Sequence, residues 1–154
     1  MKRIVILSTL AVLFVGVTVC LADSPQMGTW KLNEAKSKFG AGATRNHTVV
    51  YEAAGDMIKV TVDGTDGDGN PVHNEWTGKF DGKYYAITGS SSGDMRSYRR
   101  INSRTLALRE KKGSKVVTTG TITVSRDGKS RTVNTTGTNA KGKRIRNSAV
   151  YDKQ

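Results

Sequence analysis

The chain has 154 residues, with 25 Lys and Arg against 13 Asp and Glu, and a net charge of +12 at pH 7. This length fits one domain with a real hydrophobic core, and a single cysteine, Cys20, excludes an internal disulfide. The basic balance favours anionic partners such as nucleic acid, lipid head groups or envelope polymers, but it also agrees with a simple role in solubility.

The first 22 residues have the features of an export signal. Lys2 and Arg3 precede an uncharged apolar run at 4–19, and Cys20-Leu21-Ala22 has small residues at both ends. We predict cleavage after Ala22, which leaves a domain at 23–154 in a secreted or periplasmic bacterial protein. Two alternatives remain: an uncleaved anchor, for which the run is short, and a lipoprotein acylated at Cys20, for which the bulky preceding valine is unsuitable.

Turn signals follow the leader about every 10 to 15 residues, the spacing of hairpin-linked strands. Asp-Gly and Lys-Gly pairs, as in "KKGS" (111–114) and "RDGK" (126–129), supply the positive φ of tight turns. Between the turns, apolar and polar residues alternate, as in "MIKVTVD" (57–63). The pattern predicts about ten strands, at 28–33, 47–53, 57–63, 71–80, 83–89, 94–101, 104–111, 115–125, 130–138 and 144–152.

This meander predicts an all-β fold, a single antiparallel up-and-down β-barrel. Closure into a barrel removes the two exposed edges that an open meander would leave. A two-sheet sandwich is the alternative, but uniform hairpin spacing without a long crossover favours the barrel. Only "NEAKSKF" (33–39) is compatible with one turn of helix.

The first predicted strand opens with Gly28-Thr29-Trp30, which resembles the Gly-x-Trp signature of the calycins, the lipocalins and fatty-acid-binding proteins. In those families the Trp closes one barrel end, and a basic residue of the last strand packs across its ring. The resemblance therefore implies a barrel-closing role for Gly28 and Trp30, with Arg144 or Arg146 as the stacking residue.

A closer resemblance extends over most of the domain. "GTWKLN", "KSKF", "IKVTVDG" and the final "VYDK" resemble small secreted bacterial lipocalin-like proteins of unassigned function. Two departures separate the chain from fatty-acid-binding proteins. Residues 35–46 leave no room for their two-helix lid, and Ala149 stands where their Arg-x-Tyr carboxylate pair has Arg, although Tyr151 matches the Tyr.

Strand parity places several polar residues inside the predicted barrel. Asn74, Ser97, Arg99, Asn147 and Tyr151 fall on inward positions, and buried polar groups need partners, water or a ligand. The interior site that we expect has Arg99 as an anion anchor, beside Trp76, Asn147 and Tyr151. Since a one-residue slip inverts every assignment, a register error or a rim position is the alternative.

The sequence offers no catalytic or metal-binding constellation. It contains no nucleophile elbow, HExxH motif or phosphate loop, and we expect His47 and His73 to be ordinary surface residues. "DGTDGDGN" (63–70) has the acidic spacing of a calcium loop, but Pro71 stands where that loop needs Gly, so a solvated turn is expected. We predict no enzyme activity, no metal and no cofactor.

Three basic clusters, "RSYRR" (96–100), "REKKGSK" (109–115) and "KGKRIR" (141–146), define the alternative function. Two of their turns would form a basic rim, and Tyr98 could stack a base or sugar, although charge runs are usually solvated faces. The favoured function is non-catalytic binding of a small amphipathic or anionic ligand by a monomeric barrel. The alternative is a basic surface module that binds an anionic polymer, either a polysaccharide, lipopolysaccharide or nucleic acid. We predict no specific nucleic-acid partner.

Overall fold

The computed structural model describes residues 24–139 and 141–154, and the predicted leader lies outside them. Within this part, no helix is long and apolar enough to cross a membrane. Apart from one 3-10 turn at Glu34–Lys36, the regular structure consists of β-strands. They are β1 Gly28–Leu32, β2 Arg45–Ala54, β3 Met57–Thr65, β4 Pro71–Gly78, β5 Tyr85–Thr88, β6 Met95–Arg100, β7 Thr105–Lys112, β8 Lys115–Val124, β9 Ser130–Thr138 and β10 Arg144–Lys153.

The ten strands form one closed antiparallel barrel. Each strand pairs with its neighbours in sequence, and β1 completes the ring by pairing with β10. The predicted up-and-down barrel is confirmed and the sandwich alternative is wrong. Gly113 and Gly128, with φ of 58° and 72°, supply the predicted left-handed turn conformations after Lys112 and Asp127.

Antiparallel alternation divides the connections between two barrel ends. The open end carries the connections after β1, β3, β5, β7 and β9, and the closed end carries the other four connections and both ends of the described chain. At the open end, residues 33–44 connect β1 to β2. The Lys38 backbone pairs with Ser148 of β10, and the Gly40 N–H donates to Asn147 Oδ1 at 2.9 Å. This connection therefore extends the β1 side of the wall.

Trp30 fills the closed end. Its side chain is fully buried, and its Nε1–H donates to the Gln26 carbonyl at 2.8 Å. The Arg131 guanidinium lies 4.8 Å from the indole centroid, and Lys153 Nζ lies 5.2 Å from it. Gly28, with φ of 102°, allows the Lys153 side chain to pass close to its backbone. Trp30 thus closes this end of the barrel, and two cations pack against its ring.

The predicted stacking residue is wrong. Arg144 and Arg146 are exposed and begin β10 at the open end, whereas Trp30 pairs with Lys153 near the far end of that strand. The guanidinium over the indole comes instead from β9, through Arg131. The last strand contributes Lys153, the basic residue that its register places opposite Trp30.

We expect Trp30→Ala to destabilise the fold by about 3–5 kcal/mol, because it removes the largest buried side chain at the closed end. This loss is a large share of the ~5–15 kcal/mol that domains usually have. Thermal or urea unfolding measures it, with Lys31→Ala, an exposed neighbour on the same strand, as the control. Equal midpoints for Trp30→Ala and the parent would show that Trp30 does not hold the closed end.

Candidate functional site

The closed-end half of the barrel interior is filled by large side chains. Inward positions there are almost completely buried and mostly apolar or aromatic, and they form one continuous cluster. Its largest members are Trp30, Tyr51, Ile58, Trp76, Tyr98, Leu106, Ile122, Val124 and Tyr151. Any site for a ligand in the interior therefore begins above this packed layer.

Trp76 faces the interior as predicted, but it belongs to the packed layer. Its ring meets Tyr98 edge-on at 4.8 Å and Tyr85 at 5.7 Å, and its Nε1–H donates to the Arg96 carbonyl at 2.9 Å. The expected bare cavity wall is thus an aromatic cluster with a satisfied indole N–H. Removing Trp76 would open a hole in the core, so this residue supports the fold as well as bordering the interior.

A buried ion pair between the neighbouring strands β6 and β7 lies in the interior, above this cluster. Arg96 Nε and Nη2 both lie 2.6 Å from Glu110 Oε1, and Nη2 donates to Asn74 Oδ1 at 3.2 Å. Burial alone would lower the pKa of Arg96. The interactions with Tyr98 and Glu110 together outweigh this effect, so the pKa of Arg96 lies above its ordinary value. Asn74 faces inward as predicted. The three side chains form a polar network that is neutral overall.

The predicted anion anchor, Arg99, is wrong because the register of β6 differs by one residue. Arg96 and Tyr98 face inward, whereas Arg99 is exposed, and Ser97, although buried, shares its outer parity. The reason is electrostatic: Arg96 meets the buried carboxylate of Glu110, whereas an inward Arg99 would lack that partner, and an unpaired buried charge is costly. Tyr98 is buried in the core, so it cannot stack a base at the surface.

Arg131 is a second buried cation that the site prediction missed. It is 2% exposed, and its guanidinium carbon lies 4.8–4.9 Å from the ring centroids of Trp30, Tyr51 and Tyr151. Among residues 24–139 and 141–154, neither Nε nor Nη1 has a hydrogen-bond partner. Arg131 lies two residues from Val133 on β9, and this alternation was the sequence signal that could have identified it as an inward residue. Burial raises the pKa of Tyr151 to about 12, with Arg131 acting in the opposite direction.

The open-end half of the interior has a lining of small and polar residues. One inward row across β8, β9 and β10 consists of Gly120, Thr135 and Asn147, and Asn147 Nδ2 lies 3.4 Å from Thr135 Oγ1. These residues are only half-buried, although the same parity nearer the closed end is mostly buried. Asn147 and Tyr151 both lie on the predicted inward face.

The comparisons with known proteins find similar chains among solved structures. No protein-family model matches the chain, and no curated protein matches it. The chain is similar to a solved structure of a redesigned β-barrel, mFAP1, bound to DFHBI, with 13% identity and a TM-score of 0.48 over 84% of this chain and 98% of that one. It is also similar to EF1p2_mFAP2b bound to DFHBI, with 12% identity and a TM-score of 0.47 over 84% and 94% of the two chains.

The two histidines lie on the outer surface. His47 Nε2 is 3.1 Å from Thr65 Oγ1, and His73 Nδ1 is 2.6 Å from Asp63 Oδ1. Glu75 Oε1 lies 3.7 Å from the other nitrogen of His73 and is shared with Lys59. The hydrogen bond with Asp63 is the main cause that raises the pKa of His73.

We expect NMR titration to give His73 a pKa above its ordinary value of about 6.5 and Asp63→Asn to lower it. Because the folded-state pKa is raised, the interaction stabilises the fold fully below the unfolded pKa and fades as pH rises through the folded pKa. Asp56→Asn, which removes an exposed carboxylate that pairs with Lys79 instead, is the control and should leave the pKa of His73 unchanged. An unchanged pKa for His73 in Asp63→Asn would contradict the assigned cause.

Proposed function

We propose that this protein is an exported, non-catalytic binding protein that takes a small anionic, amphipathic ligand into its barrel. One observation carries the proposal: the interior charges do not balance. The buried charged residues of the described chain are Arg96, Glu110 and Arg131. The first two neutralise each other, and Arg131 retains two guanidinium nitrogens without an acceptor.

An anionic ligand would complete this charge balance. Stacking on three aromatic rings offsets part of the desolvation of Arg131, by about 2 kcal/mol or more for a desolvated cation–π contact. It supplies no hydrogen-bond acceptor, and buried N–H groups without acceptors are costly. A carboxylate, sulfonate or phosphate group would supply both the opposite charge and the acceptors. Arg131 therefore replaces Arg99 as the proposed anion-binding residue.

The wall formed by β8, β9 and β10 provides the approach from the open end. Its inward residues run from Gly120, Thr135 and Asn147 to Ala149 and Val133, and β9 and β10 then reach Arg131 and Tyr151. Val133 is only partly buried although it contacts the core cluster. We place the apolar part of the ligand against Val133 and Ala149. For its acidic group to reach Arg131, which is buried within the packed layer, the tyrosine rings over the guanidinium must move aside.

The ionisable groups of the interior favour binding over catalysis. Burial keeps the pKa of Tyr98 and Tyr151 well above neutrality, and Glu110 is hydrogen-bonded to Arg96. Within the described interior, these groups supply no nucleophile activated by a neighbouring base, which covalent catalysis requires. The proposal therefore contains no chemical step.

We expect the parent protein to bind dodecanoate more tightly than dodecanol, each measured by displacement of a fluorescent fatty-acid analogue. Arg131→Met keeps a long side chain and removes the cation, so the preference for dodecanoate should fall by about tenfold or more. Arg99→Met, which replaces an exposed arginine on β6, is the matched control and should leave the preference unchanged.

Two outcomes would contradict the proposal. One is a folded Arg131→Met protein with the preference of the parent. The other is a parent protein that binds neither compound or binds the alcohol equally well, which decides the question even if Arg131→Met does not fold. Thermal melts of each variant separate loss of fold from loss of binding.

Export is tested by the intact mass of the protein isolated from an envelope fraction. We expect a mature chain that begins at Asp23 and lacks Cys20, because the leader has the length and polarity of a cleaved signal. A diacylglycerol adduct on Cys20, or a mass that includes residues 1–22, would show that the lipoprotein or the anchor is correct instead.

A further inference from the structure

The outer surface of the barrel has a strong charge asymmetry. Residues 96–154 contain sixteen Lys and Arg against three Asp and Glu, whereas residues 1–95 contain nine against ten. Residues 96–154 include almost all of β6 and all of β7–β10, which are consecutive strands of the ring. Residues 96–154 therefore form one side of the barrel that is rich in Lys and Arg, here called the basic side.

The carboxylates of residues 96–154 do not neutralise this side. Glu110 is inside the barrel, and Asp127 and Asp152 lie next to the closed end, where they accept hydrogen bonds from Ser125 and Asn33. The ion pairs found among the described residues join side chains of β1–β4 and their connections, except for the internal pair of Arg96 with Glu110. Thus no outward-facing cation of β7–β10 lies within 4.0 Å of a carboxylate in the described chain.

A depression of about 450 Å³ is lined by Lys38 and by three adjacent rows of residues across β8–β10, of which the middle row, Gly120, Thr135 and Asn147, has inward side chains. One row across it consists of Thr121, Asn134 and Ser148, with the paired Lys38 beside them. The next row consists of Thr119, Thr136 and Arg146. The side chains of these two rows have outward parity, because the adjacent residues Ile122, Val133 and Ala149 face the core. The depression thus combines hydroxyl and amide groups with two cations.

The composition of this face selects among anionic partners. The aromatic residues of 96–154 are Tyr98 and Tyr151, both buried, so the basic side has no ring for stacking bases of single-stranded nucleic acid. Its exposed large apolar residues, Ile101 and Val116, lie at opposite barrel ends and form no patch for insertion into a membrane. Hydroxyl and amide groups beside cations suit sugar hydroxyls beside carboxylate or sulfate groups.

We propose that the basic side binds an acidic polysaccharide, with the depression bordered by Lys38 and Arg146 as its centre. Long-range attraction by the whole side brings the polymer to the surface. Lys38 and Arg146 then pair with its acidic groups, while Thr121, Thr136, Asn134 and Ser148 hydrogen-bond to its sugar hydroxyls. The side chains proposed to bind the polymer face outward, whereas those proposed for the interior ligand face inward, so each set can be altered without changing the other.

The experiment measures binding of the purified domain to polygalacturonate, a carboxylated polysaccharide, across a salt series. The Lys38→Gln/Arg146→Gln double variant should weaken binding about tenfold and reduce the slope of log affinity against log salt. Lys59→Gln/Lys79→Gln removes the same charge from exposed positions on the opposite side and should change affinity less than about twofold. Thr121→Val/Thr136→Val should weaken polygalacturonate but leave poly-glutamate binding unchanged, because it removes only hydroxyl groups.

Equal weakening by the two charge-removing double variants would overturn the proposal, because net charge alone would then explain the affinity. Binding of poly-glutamate or single-stranded poly(dT) as tight as that of polygalacturonate would also overturn it, as would binding to phosphatidylglycerol vesicles without binding to polygalacturonate. Displacement of the fluorescent fatty-acid analogue, repeated with each variant, should be unaffected, which keeps this site separate from the interior one.

Discussion

The hydrogen-bonded pairing of β1 with β10 is the interaction on which the rest of the structure depends. It turns a ten-strand meander into a ring, so that every residue has either an inward or an outward side chain. The packed layer, the internal charges and the basic outer side all follow from that division. It also sets Trp30 opposite Lys153 and beneath Arg131, which closes one end while the other remains lined by small residues.

The sequence predicted the fold well because the signals involved are local. Turn residues and period-2 alternation marked the strands, and uniform hairpin spacing marked the barrel. The interior site was harder, because parity is reliable only where apolar residues show it. β6 reads Arg-Ser-Tyr-Arg-Arg, and either register buries an arginine. The choice depends on Glu110, a partner on β7, which local patterning cannot reveal. Arg131 was missed because its partners, Trp30 and Tyr51, are about 80 to 100 residues away in sequence.

The interior shows how one barrel can combine a rigid layer with a polar one. Edge-on aromatic contacts and a satisfied indole N–H fix Trp76 and Tyr98, and the Arg96–Glu110 pair stands on that layer. Buried ion pairs seldom add stability over apolar residues of similar size. Their presence here, together with an unmatched Arg131, is therefore not explained by the strength of the fold.

The composition of the closed end has a consequence for the order of events during synthesis. Its indole comes from residue 30, whereas the groups packed on that indole come from residues 131 and 153. Residues 30 to 153 must therefore all be synthesised before this plug can form, and until then β1 lacks its partner β10. Such long-range closure makes folding slow compared with local contacts. Closure of the ring is therefore a late step of folding, one that cannot occur until β10 has left the ribosome.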